Sequence, residues 1–165
     1  MTSTLESPQQ EDQVVLLDGV PHPAEDAAEP FIVASARRVI LSYPIAESDF
    51  ERFGPFDADD DPFCTVLFPD TIFHRLGPPG DVDLEIHPLA PHGLIGYSVH
   101  EITNSSLVAE LVVELAAVAS TGAAKRHFVI TFNESTFECV ASDYTVVGVY
   151  GAGEIASREA FSLVR

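Results

Sequence analysis

Residues 127–142 read HFVITFNESTFECVAS, in which two runs of alternating, mostly apolar residues flank the polar segment Asn133–Thr136. This pattern predicts a β-hairpin, because alternation of side chains between two faces is the signature of a strand. A turn at the polar segment makes one face wholly apolar and leaves the other mixed, as in an antiparallel sheet packed on one side. The predicted pairs are Phe132 with Phe137, Ile130 with Cys139 and Phe128 with Ala141 on the apolar face, and Thr131 with Glu138, Val129 with Val140 and His127 with Ser142 on the mixed face.

The segments on either side of this hairpin complete the predicted architecture. Tyr144–Tyr150 predicts a third strand, so that a C-terminal β-meander runs from His127 to Tyr150. Upstream, Leu107–Ser120 predicts a helix that is apolar nearly all round and therefore buried, either against a sheet or in a subunit interface. We therefore predict an α+β fold in which an antiparallel sheet with a C-terminal β-meander packs on one long apolar helix.

The N-terminal 30 residues differ in composition from the rest of the chain. They contain seven acidic residues, no Lys or Arg, and the prolines Pro8, Pro21, Pro23 and Pro30. Such a composition is typical of a solvated segment with little intrinsic order. We therefore predict an acidic flexible tail over residues 1–30, with only the apolar run 14–17 able to dock, and a single α+β domain over residues 31–165.

The charge of the chain narrows the classes of partner. The sequence holds 26 acidic against 8 basic side chains, which gives a formal net charge of −18. A surface this negative repels phosphate backbones and anionic lipids, so we expect no nucleic-acid and no membrane partner. It suits a basic protein as the partner. Genome composition and adaptation to a salty cytoplasm are rival explanations of the acidity.

These features favour a small acidic cytoplasmic binding protein of the inhibitor, immunity or adaptor type, without catalysis and without a cofactor. Two alternatives stay open: a metal-dependent or small-molecule-handling enzyme, and a structural subunit that forms a homo-oligomer through the helix over residues 107–120. The carboxylates concentrated in short spans are the candidate partner-binding residues, namely Asp57, Asp59, Asp60, Asp61, Asp83 and Glu85.

The enzyme alternative rests on residues 83–87, which read DLEIH and alternate like a half-buried strand. Two carboxylates and an imidazole would then share one face, and histidines from the next strand would complete a metal site. The candidate ligands are Asp83, Glu85, His87, His92 and His100. The solvated face of an ordinary strand shows the same alternation, so the pattern is not specific to metal.

The two cysteines, Cys64 and Cys139, lie among strand-like apolar residues. Without a larger cysteine framework and without a visible signal peptide, we expect two buried, reduced thiols in a cytoplasmic protein. We expect the basic pair Arg37-Arg38 to contact the chain's own acidic segments. One lysine against seven arginines suggests a GC-rich prokaryotic genome.

Overall fold

A computed structural model describes residues 11–26, 28–116 and 123–165. Every strand pairing in this part of the chain is antiparallel. The strands are β1 (Gln13–Leu16), β2 (Phe31–Ala34), β3 (Arg38–Pro44), β4 (Phe63–Pro69), β5 (Phe73–Gly77), β6 (Val99–Thr103), β7 (Arg126–Thr131), β8 (Thr136–Ala141) and β9 (Thr145–Tyr150). The helices are α1 (Phe50–Phe53), α2 (Ser106–Leu115) and α3 (Gly153–Leu163), with 3₁₀ turns at Glu47–Asp49, Asp81–Ile86 and Ala90–His92.

The strands form two sheets that pack face to face. A five-stranded sheet has the order β1-β6-β7-β8-β5, and a four-stranded sheet has the order β2-β3-β4-β9. Alternate residues of each strand point into the space between the sheets and form the main core, as burial of apolar surface requires. Its largest buried side chains include Leu41, Tyr43 and Phe68 from one sheet and Phe128, Ile130 and Phe137 from the other. The α+β class is confirmed, with two antiparallel sheets in place of one.

The hairpin at residues 127–142 keeps its predicted faces but not its predicted partners. Ile130 pairs with Phe137, and Phe128 pairs with Cys139. The Phe132 N–H donates to the Ser135 carbonyl at 2.8 Å, so the turn consists of Asn133–Glu134 only. This shift by two residues leaves each side chain on its predicted face, because the side-chain period of a strand is two.

The predicted meander is wrong at its third strand. β9 pairs with β4 of the four-stranded sheet, and the chain crosses between the sheets just after β8. At the crossing, the Ser142 N–H donates to the Pro69 carbonyl at 3.0 Å. Val146 and Val149 of β9 pack against the main core. They are three residues apart because the pairing with β4 shifts in register between Thr65 and Val66. Periodicity thus identifies a strand but not its partner.

The predicted long buried helix is not confirmed. α2 ends at Leu115, has no buried residue, and leaves the side chain of Val113 77% exposed. Residues 117–122, where the prediction continued, lie outside the described part of the chain. The helix packed on a sheet is α3, whose Ala156 and Ala160 are fully buried near β3 and β4. None of the helices in the described part is both long enough and apolar enough to span a bilayer.

The outer face of the five-stranded sheet is covered by the segment between β5 and β6. Leu84, Leu89 and Leu94 of this segment pack with Ile102 and Val129 of the sheet. Both faces of the sheet are therefore buried, and the mixed face of the hairpin is a second, smaller core.

The flexible tail is not confirmed over residues 11–26. The apolar run 14–17 docks as β1 and pairs with β6 at the edge of the five-stranded sheet. Val20 is 1% exposed, and the Tyr43 hydroxyl donates to the Pro21 carbonyl at 2.8 Å. Residues 1–10 lie outside the described part. The sequence singled out the run 14–17 as able to dock, but four apolar residues within an acidic, proline-rich segment do not show that Val20 and Pro21 are held as well.

Candidate functional site

The acidic loop Asp57–Asp61 connects α1 to β4 and is exposed throughout. The Asp60 carboxylate accepts a hydrogen bond from the Asp57 N–H at 2.7 Å, and the Asp60 N–H donates to the Asp57 carbonyl at 3.0 Å. Asp60 therefore shapes the loop. Asp57, Asp59 and Asp61 present their carboxylates to solvent.

The segment that contains Asp83 and Glu85 is a 3₁₀ helix and not the predicted strand. Leu84 and His87 point into the sheet, and this spacing of three matches the three residues per turn of a 3₁₀ helix. Val82 and Ile86 point outward and are 87% and 71% exposed, whereas a half-buried strand would place both on the buried face with Leu84. Pro78, Pro79, Pro88 and Pro91 flank the segment and remove ladder donors, which disfavours a strand.

The candidate metal ligands are dispersed by this arrangement. Asp83 and Glu85 are exposed on the 3₁₀ helix, and His92 is exposed on the next turn. His87 is buried between the 3₁₀ helix and the sheet, and His100 is buried on β6. Within residues 11–26, 28–116 and 123–165, no group of three or more His, Cys, Asp or Glu side chains is placed to hold a metal ion.

Both cysteines are free and buried, as expected. Burial raises the pKa of Cys64 and of Cys139 to about 12 each. Each sulfur is therefore a protonated thiol at neutral pH, which removes the thiolate that nucleophilic chemistry needs.

A chain of hydrogen-bonded polar side chains crosses the outer face of the five-stranded sheet. The Arg75 guanidinium on β5 donates to Oε2 of Glu138 on β8 at 3.1 Å. Oε1 of Glu138 lies 2.8 Å from Nε2 of His127 on β7. Nδ1 of His127 lies 2.7 Å from Oγ of Ser105, which is the N-cap residue of α2. Strand register and a helix start thus bring together four side chains from four elements.

Burial strongly affects the electrostatics of these hydrogen-bonded side chains. His127 is 2% exposed and Glu138 is 8% exposed, whereas Ser105 is half-buried. Burial opposes ionisation of Glu138, but the hydrogen bond from His127 and the charge of Arg75 outweigh this effect, so the pKa of Glu138 lies below its usual value. Glu138 is therefore an ionised acceptor at neutral pH.

Two further buried histidines flank this chain. His87 accepts the Leu89 N–H on Nδ1 at 3.1 Å, and its Nε2 has no hydrogen-bond partner among the described residues. Burial lowers the pKa of His87, and the Arg75 charge reinforces this while the Glu138 carboxylate opposes it. Burial also lowers the pKa of His100, whose Nδ1 lies 3.1 Å from the Val129 carbonyl.

An open groove runs past the start of α2. Its lining includes Ser105, Val108, Val112, His92, Ile102 and Arg126. Ser105 is the member of the polar chain that reaches this groove. The hydroxyl also accepts the Val108 N–H at 3.1 Å, as an N-cap residue does.

Sequence analysis missed the Ser105–His127–Glu138 chain. The available signals were an N-cap candidate at Ser105 and two ionisable residues, His127 and Glu138, on one face of the predicted hairpin. No sequence spacing links a helix cap to a strand 22 residues away. No protein-family model matches this sequence, and neither a search of curated proteins nor a search of solved structures found a match.

Proposed function

We propose that this chain is a small acidic cytoplasmic interaction protein that recognises a basic protein partner through exposed carboxylates, in the manner of an inhibitor, immunity protein or adaptor. The excess of 26 acidic over 8 basic side chains is the starting point of this proposal. It disfavours nucleic acid and anionic lipid as partners and favours association with a positively charged surface. The two free, buried thiols suit a reducing compartment.

The observation that carries the proposal is where the basic side chains point. In the described part of the chain, three of the basic side chains form ion pairs with the chain's own carboxylates, namely Arg37, Arg75 and Arg126. These three therefore do not offset the charge of the exposed loop Asp57–Asp61 or of Asp83 and Glu85. The bond from Arg37 to Asp70, at 2.9 Å, is the internal pairing expected of the Arg37-Arg38 pair.

Two exposed surfaces offer carboxylates to a basic partner. The loop Asp57–Asp61 offers carboxylates alone. The 3₁₀ helix offers Asp83 and Glu85 beside the exposed apolar side chains of Val82 and Ile86. Apolar contacts supply affinity and carboxylates supply steering, so this second surface suits a segment with both basic and apolar residues.

Affinity capture followed by binding kinetics tests this function. The full chain is immobilised and its partners from the native host are identified by mass spectrometry, and the association rate of the recovered partner is then measured at about 0.05 M and about 0.5 M salt. We expect a basic partner whose association slows markedly at the higher salt, because the Debye length shrinks to a few ångströms. An acidic partner, or a rate indifferent to salt, would contradict the proposal.

Paired variants locate the surface. Asp59→Asn with Asp61→Asn should slow association without changing stability, and Asp60 is left in place because it shapes the loop. Asp83→Asn with Glu85→Gln tests the second surface in the same way. Glu51→Gln with Glu154→Gln is the matched control, since both residues are exposed but lie outside the two surfaces. A control pair that slows association as much as both test pairs would show that net charge alone acts.

A structural subunit is the second candidate function, and exposed apolar residues of α2 favour it. Val112 and Val113 are 49% and 77% exposed on a helix of ten residues. A homo-oligomer that buries this face would remove apolar surface from water. Sedimentation velocity should then show an oligomer for the wild type and a monomer for Val113→Asp, whereas a monomeric wild type would exclude this candidate.

A further inference from the structure

The hydrogen bonds of the Ser105–His127–Glu138 chain have one consistent direction. An ionised carboxylate only accepts, so the His127 ring carries its proton on Nε2 and donates it to Glu138. A ring protonated on Nε2 alone has a lone pair on Nδ1, to which the Ser105 hydroxyl can donate across the 2.7 Å contact. The serine proton therefore already lies on the line toward a base whose other nitrogen is held by a carboxylate.

The burial of the three residues matches the arrangement of a nucleophile with its base and carboxylate: the hydroxyl is the outermost group, and the imidazole and carboxylate lie behind it. His127 and Glu138 lie beneath the surface, and Ser105 lies half-buried at the groove beside α2. Arg75 holds the second carboxylate oxygen at 3.1 Å, which fixes the orientation of Glu138. A ligand in the groove meets the hydroxyl first, with Nδ1 of His127 directly behind it.

Helix capping accounts for the hydroxyl but not for the residues behind it. The Ser105 oxygen accepts the Val108 N–H at 3.1 Å, and any N-cap serine does this without a base. Burial of an imidazole and a carboxylate carries a desolvation penalty, and an apolar pair of the same volume is often at least as stable. The arrangement of a hydroxyl, an imidazole and a carboxylate is the one that activates serine for acyl transfer.

The groove indicates the kind of substrate. Its helix side presents Val108, Ala109 and Val112, which suit a small apolar acyl group. The N–H groups in the first turn of a helix lack intrahelical acceptors, and that of Leu107 donates no hydrogen bond among the described residues. The Ser106 N–H is already bonded to the Asp12 carboxylate, so the Leu107 N–H is the first-turn donor that remains beside the nucleophile for the oxyanion formed when an ester carbonyl is attacked.

We propose that Ser105 is the nucleophile of an esterase site that accepts small neutral esters, with His127 as the base and Glu138 as its positioning residue. Ser105 Oγ attacks the carbonyl carbon, and the hydroxyl proton passes to Nδ1 of His127. The ester C–O bond breaks, and the leaving alkoxide takes that proton and departs as an alcohol. Water then attacks the acyl-serine, gives one proton through Nδ1 back to Ser105 Oγ, and releases the carboxylic acid.

The ring nitrogens are used in the reverse order from chymotrypsin-type proteases, where Nε2 faces the serine. Either nitrogen is a base when the other carries the proton, so the chemistry is unchanged. This site is separate from the carboxylate surfaces of the proposed interaction function, and its test is independent of any protein partner.

Labelling of the purified full chain tests the proposal. The chain is incubated with a fluorophosphonate probe and, separately, with p-nitrophenyl acetate, and modified residues are mapped by peptide mass spectrometry. We expect a phosphonyl adduct on Ser105 and release of p-nitrophenolate from p-nitrophenyl acetate in the native chain, and the loss of both in the urea-unfolded chain. Native protein without adducts on Ser105 overturns the proposal, whatever any variant shows.

Variants separate an activated serine from a merely accessible one. His127→Gln should slow labelling of Ser105 by about 100-fold or more, which is the usual contribution of a general base. Ser35→Ala removes an exposed hydroxyl in the turn between β2 and β3 and should leave the labelling rate of Ser105 unchanged. A labelling rate in folded His127→Gln equal to that of the wild type overturns the proposal. Where His127→Gln does not fold, Glu138→Gln replaces it, with the folded state of each variant checked by circular dichroism.

Discussion

Nε2 of His127 lies 2.8 Å from Oε1 of Glu138. Both residues are buried, and they lie on neighbouring strands of the five-stranded sheet. The two residues are diagonal neighbours, since His127 pairs with Val140 and Glu138 pairs with Val129. Their side chains meet because both lie on the outer face of the sheet, which the segment before β6 covers. The stability of the second core therefore depends on the ionisation of Glu138.

Removal of the Glu138 carboxylate should be strongly destabilising. Glu138→Ala leaves the His127 N–H buried without its acceptor, and we expect a loss of about 3–5 kcal/mol in the free energy of unfolding, measured by urea denaturation at pH 7. Asp143→Ala is the control, because Asp143 also forms an ion pair but its side chain is 62% exposed, and its loss should be about 0–1 kcal/mol.

The pH dependence of this difference has a definite sign. The pKa of Glu138 lies below its usual value in the folded chain, so its stabilisation is present above that usual value and is lost as the pH falls through the folded pKa. The gap between wild type and Glu138→Ala should therefore narrow below about pH 4. An unchanged gap at lower pH would show that packing, and not charge, accounts for the loss.

His87 should make the fold sensitive to mild acid. Burial lowers its pKa, so the unfolded chain takes up a proton first as the pH falls below about 6.5, and stability falls with it. His87→Gln keeps an acceptor for the Leu89 N–H but does not ionise. Between pH 7.5 and 5.5 we expect the wild type to lose up to about 1.4 kcal/mol more than this variant, measured by urea denaturation at each pH.

Exposed His92 supplies the control for that experiment. His92→Gln should retain the wild-type loss of stability, because its ring is solvated in the folded and the unfolded chain alike. An equal acid sensitivity of the wild type and His87→Gln would refute the assignment to His87.

Local pattern predicted the hairpin faces but not the partners of its strands. The faces of residues 127–142 follow from a period of two, which is a property of the segment itself. The pairing of β9 with β4 depends on which sheet edge is free, and that is decided by residues far away in the sequence. The same limit applies to the apolar run 14–17, whose docking could be anticipated but whose place beside β6 could not.

The candidate site was beyond sequence reasoning for a related reason. Ser105 caps α2, whereas His127 and Glu138 lie on β7 and β8, and only the tertiary fold brings the three within hydrogen-bond distance. The Asp83–His87 alternation, by contrast, was visible but misleading. The sequence DLEIH is compatible with a strand that buries alternate residues and also with a 3₁₀ helix that buries Leu84 and His87.

The N-terminal segment should be needed for folding. Val20 is 1% exposed in the main core, so Val20→Ala should lower the free energy of unfolding by about 1.5–3 kcal/mol. Val15→Ala on the outer edge of β1, where the side chain is 46% exposed, should lower it by less than half as much. Urea denaturation of both variants checks this, and equal small losses would restore the view that residues 11–26 are dispensable.

Thr131 tests whether the mixed face of the hairpin is a true core. The side chain is fully buried, and its hydroxyl donates to the Ile95 carbonyl at 2.8 Å and accepts the Ser98 N–H at 3.0 Å. Thr131→Val keeps the volume but leaves both backbone groups without their partner, so we expect a loss of about 1–3 kcal/mol. Thr145→Val makes the same exchange at an exposed strand position and should stay within about 0.5 kcal/mol of the wild type. Since a solvated outer face would make the two substitutions equivalent, equal unfolding midpoints in urea would contradict the burial of this face by residues 94–98.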